Sequence, residues 1–152
     1  MIIPKAPSHP RFNNGHWQFD KDMGKSSVGF IYVIRDKVLR RFYLGKKLYA
    51  GHGKLNKGVE SNWKKYRSSS PVLKEHFKER PIEEFDFICI AEYRSKGGLS
   101  YAETWSLCKV EAPTTDEWYN VLINKVSWRV SEGVKDSHKE RLTEVIKWGE
   151  FD

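Results

Sequence analysis

Residues 28–47 constrain the fold of this chain most, because they read as two β-strands joined by a short turn. Val28–Arg35 and Arg41–Lys47 are rich in β-branched and aromatic residues, and residues 36–40 between them suit a chain reversal. A turn centred between positions 37 and 38 would place Tyr32 directly opposite Tyr43, within cross-strand contact distance. A bulged turn would shift that register by one residue. The segment therefore predicts a β-hairpin with two tyrosines on one face.

Two helices are predicted between this hairpin and the next strand. Val59, Trp63 and Tyr66 recur at i, i+4 and i+7, which is one face of a short helix. Ser70 can cap a second helix that begins at Pro71, because serine accepts an early N–H and proline has none to satisfy. The apolar stripe of this second helix would be Val72, Leu73, His76 and Phe77.

A third strand and two further helices complete the predicted pattern. Phe85–Tyr93 is apolar on both faces, so we expect helices to cover the sheet. A helix follows over roughly residues 100–110, and Ser137 with Glu140 forms a capping box at the start of the last helix. The order of elements indicates a small α/β domain, of the α+β type, with an antiparallel sheet flanked by helices.

The chain reads as one domain with two terminal extensions, and its 152 residues are enough to bury a core. Residues 1–27 have the composition of an N-terminal arm. Residues 28–125 hold the predicted sheet, and residues 126–152 form a C-terminal extension whose one helix should pack on the same domain. No run approaches the roughly 18 apolar residues of a membrane span, and the first residues lack a signal peptide's apolar stretch. We therefore expect a soluble, cytoplasmic protein without a membrane partner.

Positive charge is concentrated in one part of the chain. The net charge is +7, and the segment from Arg35 to Arg67 holds eleven Lys or Arg against two acidic residues. Such a segment is typical of a surface that binds a polyanion, nucleic acid before membrane, although a merely solvated surface has the same composition. Aromatic residues among the lysines suit sugar or base contacts. The candidate nucleic-acid-binding residues are Lys47, Lys54, Lys57, Trp63, Lys64, Lys65 and Arg67.

Glu103 is the most informative acidic residue. In one interpretation it closes a capping box that begins at Ser100 and only returns to the backbone of the helix start. In the other it points inward, where a carboxylate must be paired or must coordinate a cation. The inward stripe of that helix would be Leu99, Ala102, Ser106, Leu107 and Val110. Near tyrosines and lysines, an inward glutamate could hold a hard divalent cation through oxygen.

Several short motifs resemble the GIY-YIG nuclease family. Phe30-Ile31-Tyr32 and, eleven residues later, Tyr43-Leu44-Gly45 are similar to its two half-motifs, with Gly29 one place early and Leu44 in place of Ile. Further similarity lies in residues 43–47, 60–70, 94–103 and 118–120. The resemblance covers about residues 28–125 and is to a phage-borne branch that includes stand-alone homing-type endonucleases. It implies a GIY-YIG-like nuclease domain built on a three-stranded antiparallel sheet.

The resemblance also implies roles in a hydrolytic site. Tyr32 would be the general base or part of the network that activates water, Tyr43 would position the water or the scissile phosphate, and Lys46 would contact phosphate. A free tyrosine has a pKa near 10, so a role as base requires nearby cations or metal-bound water that favour the phenolate. We expect the basic segment to supply that positive field.

Three more residues complete the implied site. Tyr66 stands where family members have Tyr or His, Glu103 would hold one Mg²⁺ or Mn²⁺, and Asn120 matches a late Asn of the family. One metal and a cationic side chain can stabilise the charge that develops on the phosphate and the leaving oxygen. The implied activity is metal-dependent, homing-like cleavage of DNA, most simply of a duplex, by a monomer or a homodimer. The compartment would be a bacterial host's cytoplasm if the gene is phage-borne.

One departure from the family pattern keeps alternatives open. The family usually has an arginine four residues before the Tyr/His position, and this chain has Asn62 there. Lys47, Lys65 or Arg67 could replace it in space, although lysine lacks arginine's bidentate fork for phosphate. The alternatives are a catalytically weakened module on the same fold that binds nucleic acid or protein, and an RNA-directed nuclease or binder.

Overall fold

Three antiparallel strands form the centre of the protein. A computed structural model describes residues 12–51, 58–126 and 129–149. Strand β1 spans Gly29–Asp36, β2 spans Arg41–Leu48 and β3 spans Phe85–Tyr93, and they pair in the order β2-β1-β3. Their β-branched and aromatic side chains favour the extended backbone. The antiparallel three-stranded sheet and the α+β class predicted from the sequence are confirmed.

The register of the hairpin differs from the predicted one. Tyr32 pairs with Gly45, so the prediction that Tyr32 lies directly opposite Tyr43 is wrong. The turn occupies four residues, 37–40, because the Asp36 carboxylate accepts the N–H groups of two of them at 3.1 and 3.0 Å. Since the register moves by two residues, the alternation of side chains is preserved and both tyrosines stay on one face of the sheet.

Three α-helices surround the sheet: α1 spans Pro71–Glu79, α2 spans Lys96–Lys109 and α3 spans Asp136–Val145. Helix α1 begins as predicted, because the Ser70 side chain accepts the N–H of Leu73 at 3.3 Å. Its apolar stripe is narrower than predicted. Leu73 is fully buried, whereas Val72 is 52% exposed.

The short helix predicted over residues 59–66 does not form. Only Trp63–Lys65 make a single 3₁₀ turn. The preceding residues run beside the segment after β2 instead: the Gly51 N–H donates to the Val59 carbonyl at 2.6 Å, and the Ser61 N–H donates to the Tyr49 carbonyl at 2.7 Å. These hydrogen bonds use backbone groups that a helix would need. Helical spacing of apolar residues is therefore not enough to form a helix in this segment.

Neither predicted capping box exists, because both helices begin earlier. Helix α2 starts after Ser95, whose hydroxyl accepts the N–H of the third helical residue at 3.0 Å, so Ser100 and Glu103 lie inside the helix. Helix α3 starts after Lys135, which provides no side-chain cap, and Ser137 is already helical. Glu103 therefore has no capping role.

The sheet is buried on both faces, and every residue of β1 is buried. One face packs against α2 and α3 through Ile31, Val33, Leu44, Ile88, Leu99 and Leu142. The other face is covered by α1 and by irregular segments on both sides of the hairpin, through Trp17, Met23, Trp63 and Leu73. Helices therefore cover one face and only part of the other. In the described residues, no helix combines the length and the hydropathy of a membrane span.

Candidate active site

Tyr32 lies at the centre of the site, on the central strand β1. Its side chain is 1% exposed, and its ring centroid lies 4.9 Å from that of Trp17. The ring crosses the backbone of β2 at Gly45, where a Cβ atom would come within 2.4 Å of the Tyr32 hydroxyl oxygen. Glycine is required at this close approach. The last residue of the second half-motif therefore sets the position of the Tyr32 phenol.

Tyr43 and Tyr66 complete a cluster of three tyrosines. Their ring centroids lie 6.2 and 6.1 Å from that of Tyr32. The Tyr66 ring lies edge-on to the Tyr32 ring, and the Tyr43 hydroxyl lies 3.3 Å from the Ser69 hydroxyl. Tyr43 and Tyr66 are both partly exposed. The cluster is thus closed at Tyr32 and opens to the surface at the other two rings.

Glu103 approaches this cluster from α2, on the opposite face of the sheet. It is 6% exposed, and its Oε1 atom is buried without a hydrogen-bond partner. Burial raises the pKa of Glu103, while the Lys46 charge, the Asn124 side chain and the Lys46 backbone N–H act against that rise. Lys46 Nζ donates to the Ser100 hydroxyl, one turn before Glu103, at 2.8 Å. A carboxylate and an ammonium group thus lie together at the edge strand β2.

The surroundings of Tyr32 and Tyr43 do not favour phenolates. Burial raises the pKa of Tyr32 well above its ordinary value near 10, and the proximity of Tyr43, Tyr66 and Glu103 raises it further. Burial also raises the pKa of Tyr43, against the effect of its hydrogen bond with Ser69. The expectation that the basic segment favours the phenolate is therefore wrong, because the phenols are desolvated and the charge beside them is a carboxylate. The charge of Glu103 contributes to the rise in pKa of both phenols.

Asn120 supports β2. Its side-chain nitrogen donates to the Leu44 carbonyl at 2.8 Å, and its side-chain oxygen accepts the Leu44 N–H at 2.9 Å. Leu44 lies between Tyr43 and Gly45 on the edge strand, so this amide takes the place of a neighbouring strand. The residue that the resemblance places in the catalytic set therefore contacts the backbone of the second half-motif.

Replacing Asn120 with alanine should destabilise the protein by about 2–3 kcal/mol, since it leaves the buried N–H and carbonyl of Leu44 unpaired. Urea unfolding followed by circular dichroism measures the loss. Asn62→Ala is the control, because Asn62 is exposed and makes no cap hydrogen bond. An Asn120→Ala variant that keeps its stability would contradict this supporting role and favour the role in the site that the resemblance implies.

A basic cleft opens beside Tyr66. Lys65 and Arg67 line it and are exposed, and Lys74 and Lys78 of α1 line another part of its wall. Its volume is about 580 Å³. The two lysines of α1 were not predicted as binding residues, since they lie beyond the charged segment of the sequence. A cleft of this charge is suited to a phosphate backbone.

The other predicted basic residues have different positions. The Lys47 ammonium lies 4.2 Å from the centre of the Tyr66 ring. Lys64 is partly buried, with its ammonium 5.5 Å from the centre of a tryptophan ring. Lys54 and Lys57 lie outside the described residues. In the described part of the chain, the predicted residues that lie beside Tyr66 are therefore Lys47, Lys65 and Arg67.

Trp63 is a core residue, which corrects its predicted role in nucleic-acid binding. It is 4% exposed, and its indole N–H donates to the Glu60 carboxylate at 3.0 Å. Its backbone carbonyl accepts the Trp17 indole N–H at 2.6 Å, and the Tyr49 ring packs edge-on against its own ring. An aromatic residue among lysines in a sequence suggests a contact with nucleic-acid bases, but in this fold the segment before β1 covers the Trp63 ring.

Sequence reasoning missed three polar residues of the site. Ser69, Ser100 and Asn124 each interact with one of the predicted residues, namely Tyr43, Lys46 and Glu103 in that order. Serine and asparagine are common in turns and helix caps, so their types alone carry no signal of a site. The available signs were the serine run at 68–70, close to Tyr66 in the sequence, and the position of Ser100 within the family-like segment 94–103.

Glu103 can contribute one oxygen ligand to a cation. Among the described residues, no group of three or more His, Cys, Asp or Glu side chains converges on one point. Mg²⁺ is commonly held by one or two carboxylates, with water and substrate phosphate oxygens completing its coordination. The unpartnered Oε1 atom of Glu103 fits that ligand set. A hard divalent cation therefore fits the residues present.

The antiparallel sheet brings tyrosines, a glutamate and a lysine together beside a basic cleft, which are the residue types that the resemblance to GIY-YIG nucleases implies. The family model described as "Putative endonuclease segE, GIY-YIG domain" matches residues 13–123. Since the match covers more than half of the chain, the protein belongs to this GIY-YIG family. The match begins before residue 28, so it includes Trp17 and the segment that covers the tyrosine cluster. The chain has no significant match among curated proteins or solved structures.

Proposed function

We propose that this protein is a metal-dependent endonuclease that hydrolyses phosphodiester bonds in DNA, with the homing-like character of a phage-borne enzyme. The observation that carries the proposal is Glu103, a buried carboxylate with one unpartnered oxygen, whose charge acts on the phenols of Tyr32 and Tyr43. Burying an oxygen of a carboxylate without a hydrogen-bond partner costs free energy, although Lys46 and Asn124 act on the rest of the group. A role in binding a cation explains its position, and the family membership and the basic cleft support a nucleic-acid substrate.

Glu103 would hold one Mg²⁺ or Mn²⁺, with phosphate oxygens of the substrate as further ligands. When bound, the metal would stabilise negative charge on the reacting phosphate and on the leaving oxygen. Lys46 lies beside Glu103 and can bring a second positive charge to the same phosphate by exchanging its hydrogen bond with Ser100. Both charges would act where negative charge develops in the transition state.

Tyr32 and Tyr43 would act as protonated phenols. Because burial raises the pKa of both groups, each hydroxyl keeps its proton at neutral pH and can donate or accept a hydrogen bond. Tyr32 would orient the attacking water, with its ring held against Gly45 and edge-on to the Tyr66 ring. Tyr43 is nearer the surface and would position the scissile phosphate. This assigns Tyr32 to the water-activating network and not to proton abstraction as a free phenolate.

Duplex DNA is the proposed substrate, bound through Lys47, Lys65 and Arg67 beside the tyrosine cluster. One site of this kind cuts one strand at a time, so a double-strand break requires either a homodimer or two successive cuts by a monomer. Chromosomal or phage DNA as substrate would place the enzyme in the cytoplasm, that of a bacterial host if the gene is phage-borne.

Combining Lys65→Ala with Arg67→Ala should reduce the log–log slope of DNA affinity against salt by about 2, because each lost phosphate contact removes about 0.9. Fluorescence anisotropy of a labelled duplex in EDTA, over a series of salt concentrations, measures that slope. Lys109→Ala is the control, an exposed lysine in the last turn of α2. An unchanged slope in the double variant would place the DNA-binding surface elsewhere.

Incubation with supercoiled plasmid tests the enzymatic proposal. In Mg²⁺ we expect nicked and then linear DNA, and in EDTA we expect only the supercoiled substrate. The proposal fails if the wild-type protein cuts no duplex, single-stranded or branched DNA in either Mg²⁺ or Mn²⁺.

A binding module on the same fold is the second candidate function, and Asn62 favours it. The family's arginine position is filled here by this exposed asparagine. The Arg67 guanidinium lies 5.8 Å from the centre of the Phe77 ring, which directs it towards α1. Such a module would bind nucleic acid or protein without rapid hydrolysis. RNA as the ligand is a further alternative, which anisotropy with an RNA duplex of the same sequence would reveal.

A further inference from the structure

Three consecutive apolar side chains are exposed immediately after Asn120. Val121 is 77% exposed, Leu122 is 74% exposed and Ile123 is 39% exposed. The hydrophobic effect disfavours such a run in water, and contiguous exposed apolar residues mark contact surfaces in soluble proteins. The run belongs to neither the cation site nor the basic cleft, so the proposed chemistry does not account for it.

This apolar run is anchored at both ends to elements of the candidate site. Before it, the Asn120 side chain makes both of its hydrogen bonds to Leu44 of β2. After it, the Asn124 carbonyl accepts the Thr104 hydroxyl at 2.8 Å, and the Asn124 side chain interacts with Glu103 of α2. The three apolar side chains therefore connect the edge of β2 with the helix that carries the proposed metal ligand.

The position of the run determines what can cover it. Because its C-terminal anchor is bonded to Thr104, the residue after Glu103, a protein partner or a second copy seated there would obstruct the approach of a substrate to the carboxylate. A nucleic-acid strand that enters the site covers the run without that conflict. The charges agree with this occupant, since Lys46 lies at the site and exposed Lys125 follows the second anchor.

We infer that residues 121–123 press against the bases beside the scissile phosphate and partly unstack them. Apolar side chains of this size act as wedges at base steps in several classes of DNA-binding protein, and unstacking a step costs a few kcal/mol. The inference rests on the proposed function, since it assumes a DNA strand in the site. It adds that the protein selects DNA whose bases unstack readily.

A wedge predicts a preference for mismatched DNA, because a mismatched base costs less to unstack. Binding in EDTA to a fluorescein-labelled duplex, with and without a central mismatch, measures that preference without cleavage. We expect the wild-type protein to bind the mismatched duplex about tenfold more tightly. Val121→Ser combined with Leu122→Ser should remove most of the preference and leave the salt slope unchanged, since no phosphate contact is lost.

The matched control is Val38→Ser combined with Leu39→Ser. These residues are 60% and 50% exposed in the hairpin turn, at the end of β1 and β2 remote from Lys46. The control should keep the preference for the mismatch. All four substitutions replace exposed side chains, so the variants should fold, and thermal unfolding verifies it.

Three results would overturn the wedge. The first is a wild-type protein that binds both duplexes equally, and the second is a Val121/Leu122 double variant that keeps the preference. The third is sedimentation equilibrium that shows a wild-type dimer and a monomeric double variant with unchanged DNA binding, which would make the run a self-association surface. In all three cases the wild-type protein still binds and cuts DNA. Failure of the proposed function is different, because the wild-type protein would then cut no DNA.

Discussion

Glu103→Gln is expected to reduce DNA cleavage by about 1,000-fold, while the protein becomes at least as stable as wild type. The amide keeps the shape of the side chain but loses the charge that would bind the cation. Losing that charge costs about 4 kcal/mol of transition-state stabilisation at this rate ratio. The stability of the folded protein should stay the same or increase, because burial raises the pKa of Glu103 and a neutral group costs less to bury than a charged one.

The rate of plasmid nicking and the free energy of unfolding in urea measure these two effects on one preparation. Glu92→Gln is the matched control, since Glu92 is a partly buried glutamate whose carboxylate accepts the Tyr49 hydroxyl at 2.7 Å and the Gly24 N–H at 2.8 Å. It should keep its cleavage activity and lose stability, the opposite pattern. Cleavage by Glu103→Gln at the wild-type rate would remove the metal-ligand assignment.

Tyr32→Phe should lower the cleavage rate by about 100-fold or more, because it removes the hydroxyl that would orient the attacking water, and a misplaced reactant costs a factor of this size. The ring of phenylalanine fits the space above Gly45, so the change removes only the hydroxyl. The Mg²⁺ concentration needed for half-maximal rate should stay the same, because Glu103 is unchanged. Single-turnover cleavage over a series of Mg²⁺ concentrations measures both the maximal cleavage rate and the Mg²⁺ concentration needed for half of it.

Tyr49→Phe is the control for this substitution. Tyr49 is another buried tyrosine of the same hydrophobic cluster, and its hydroxyl bonds to Glu92. Removing that hydroxyl should cost about 1 kcal/mol of stability and leave cleavage nearly unchanged. Equal activity of Tyr32→Phe and wild type would make Tyr32 an ordinary core aromatic.

The strands could be predicted from the sequence, but their register could not. Alternating aromatic and β-branched residues fix the extended segments locally. The turn depends on Asp36, whose carboxylate is held by Arg80 at 2.7 and 2.8 Å and by the Tyr119 hydroxyl at 2.7 Å. Those partners lie far along the chain, so no local pattern of residues 28–47 could reveal them.

Glu103 was predicted to face inward from the apolar stripe of its helix, and the structure has it buried. The competing capping-box interpretation failed because Ser95 starts α2 earlier.

Trp63 was predicted to contact nucleic acid because the residue that covers it is distant in the sequence. Its partner Trp17 comes from a segment without periodicity, and the hydrogen bond from the Trp17 indole to the Trp63 carbonyl is a tertiary contact that local sequence patterns do not indicate. The contact of Asn120 could not be predicted from the sequence either, because its side chain bonds to the backbone of Leu44, and the fold alone brings the two residues together.

The outer edge of β2 is covered by the segment that carries Asn120. The Phe42 N–H donates to the Glu117 carbonyl at 2.8 Å, the Tyr119 N–H donates to the Phe42 carbonyl at 2.7 Å, and the Asn120 amide continues the pattern at Leu44. Unpaired strand edges promote aggregation, and lysines discourage it. The remainder of β2 carries Lys46 and Lys47. The strand that holds the second half-motif is therefore protected against amyloid-like stacking of its edge on a second copy.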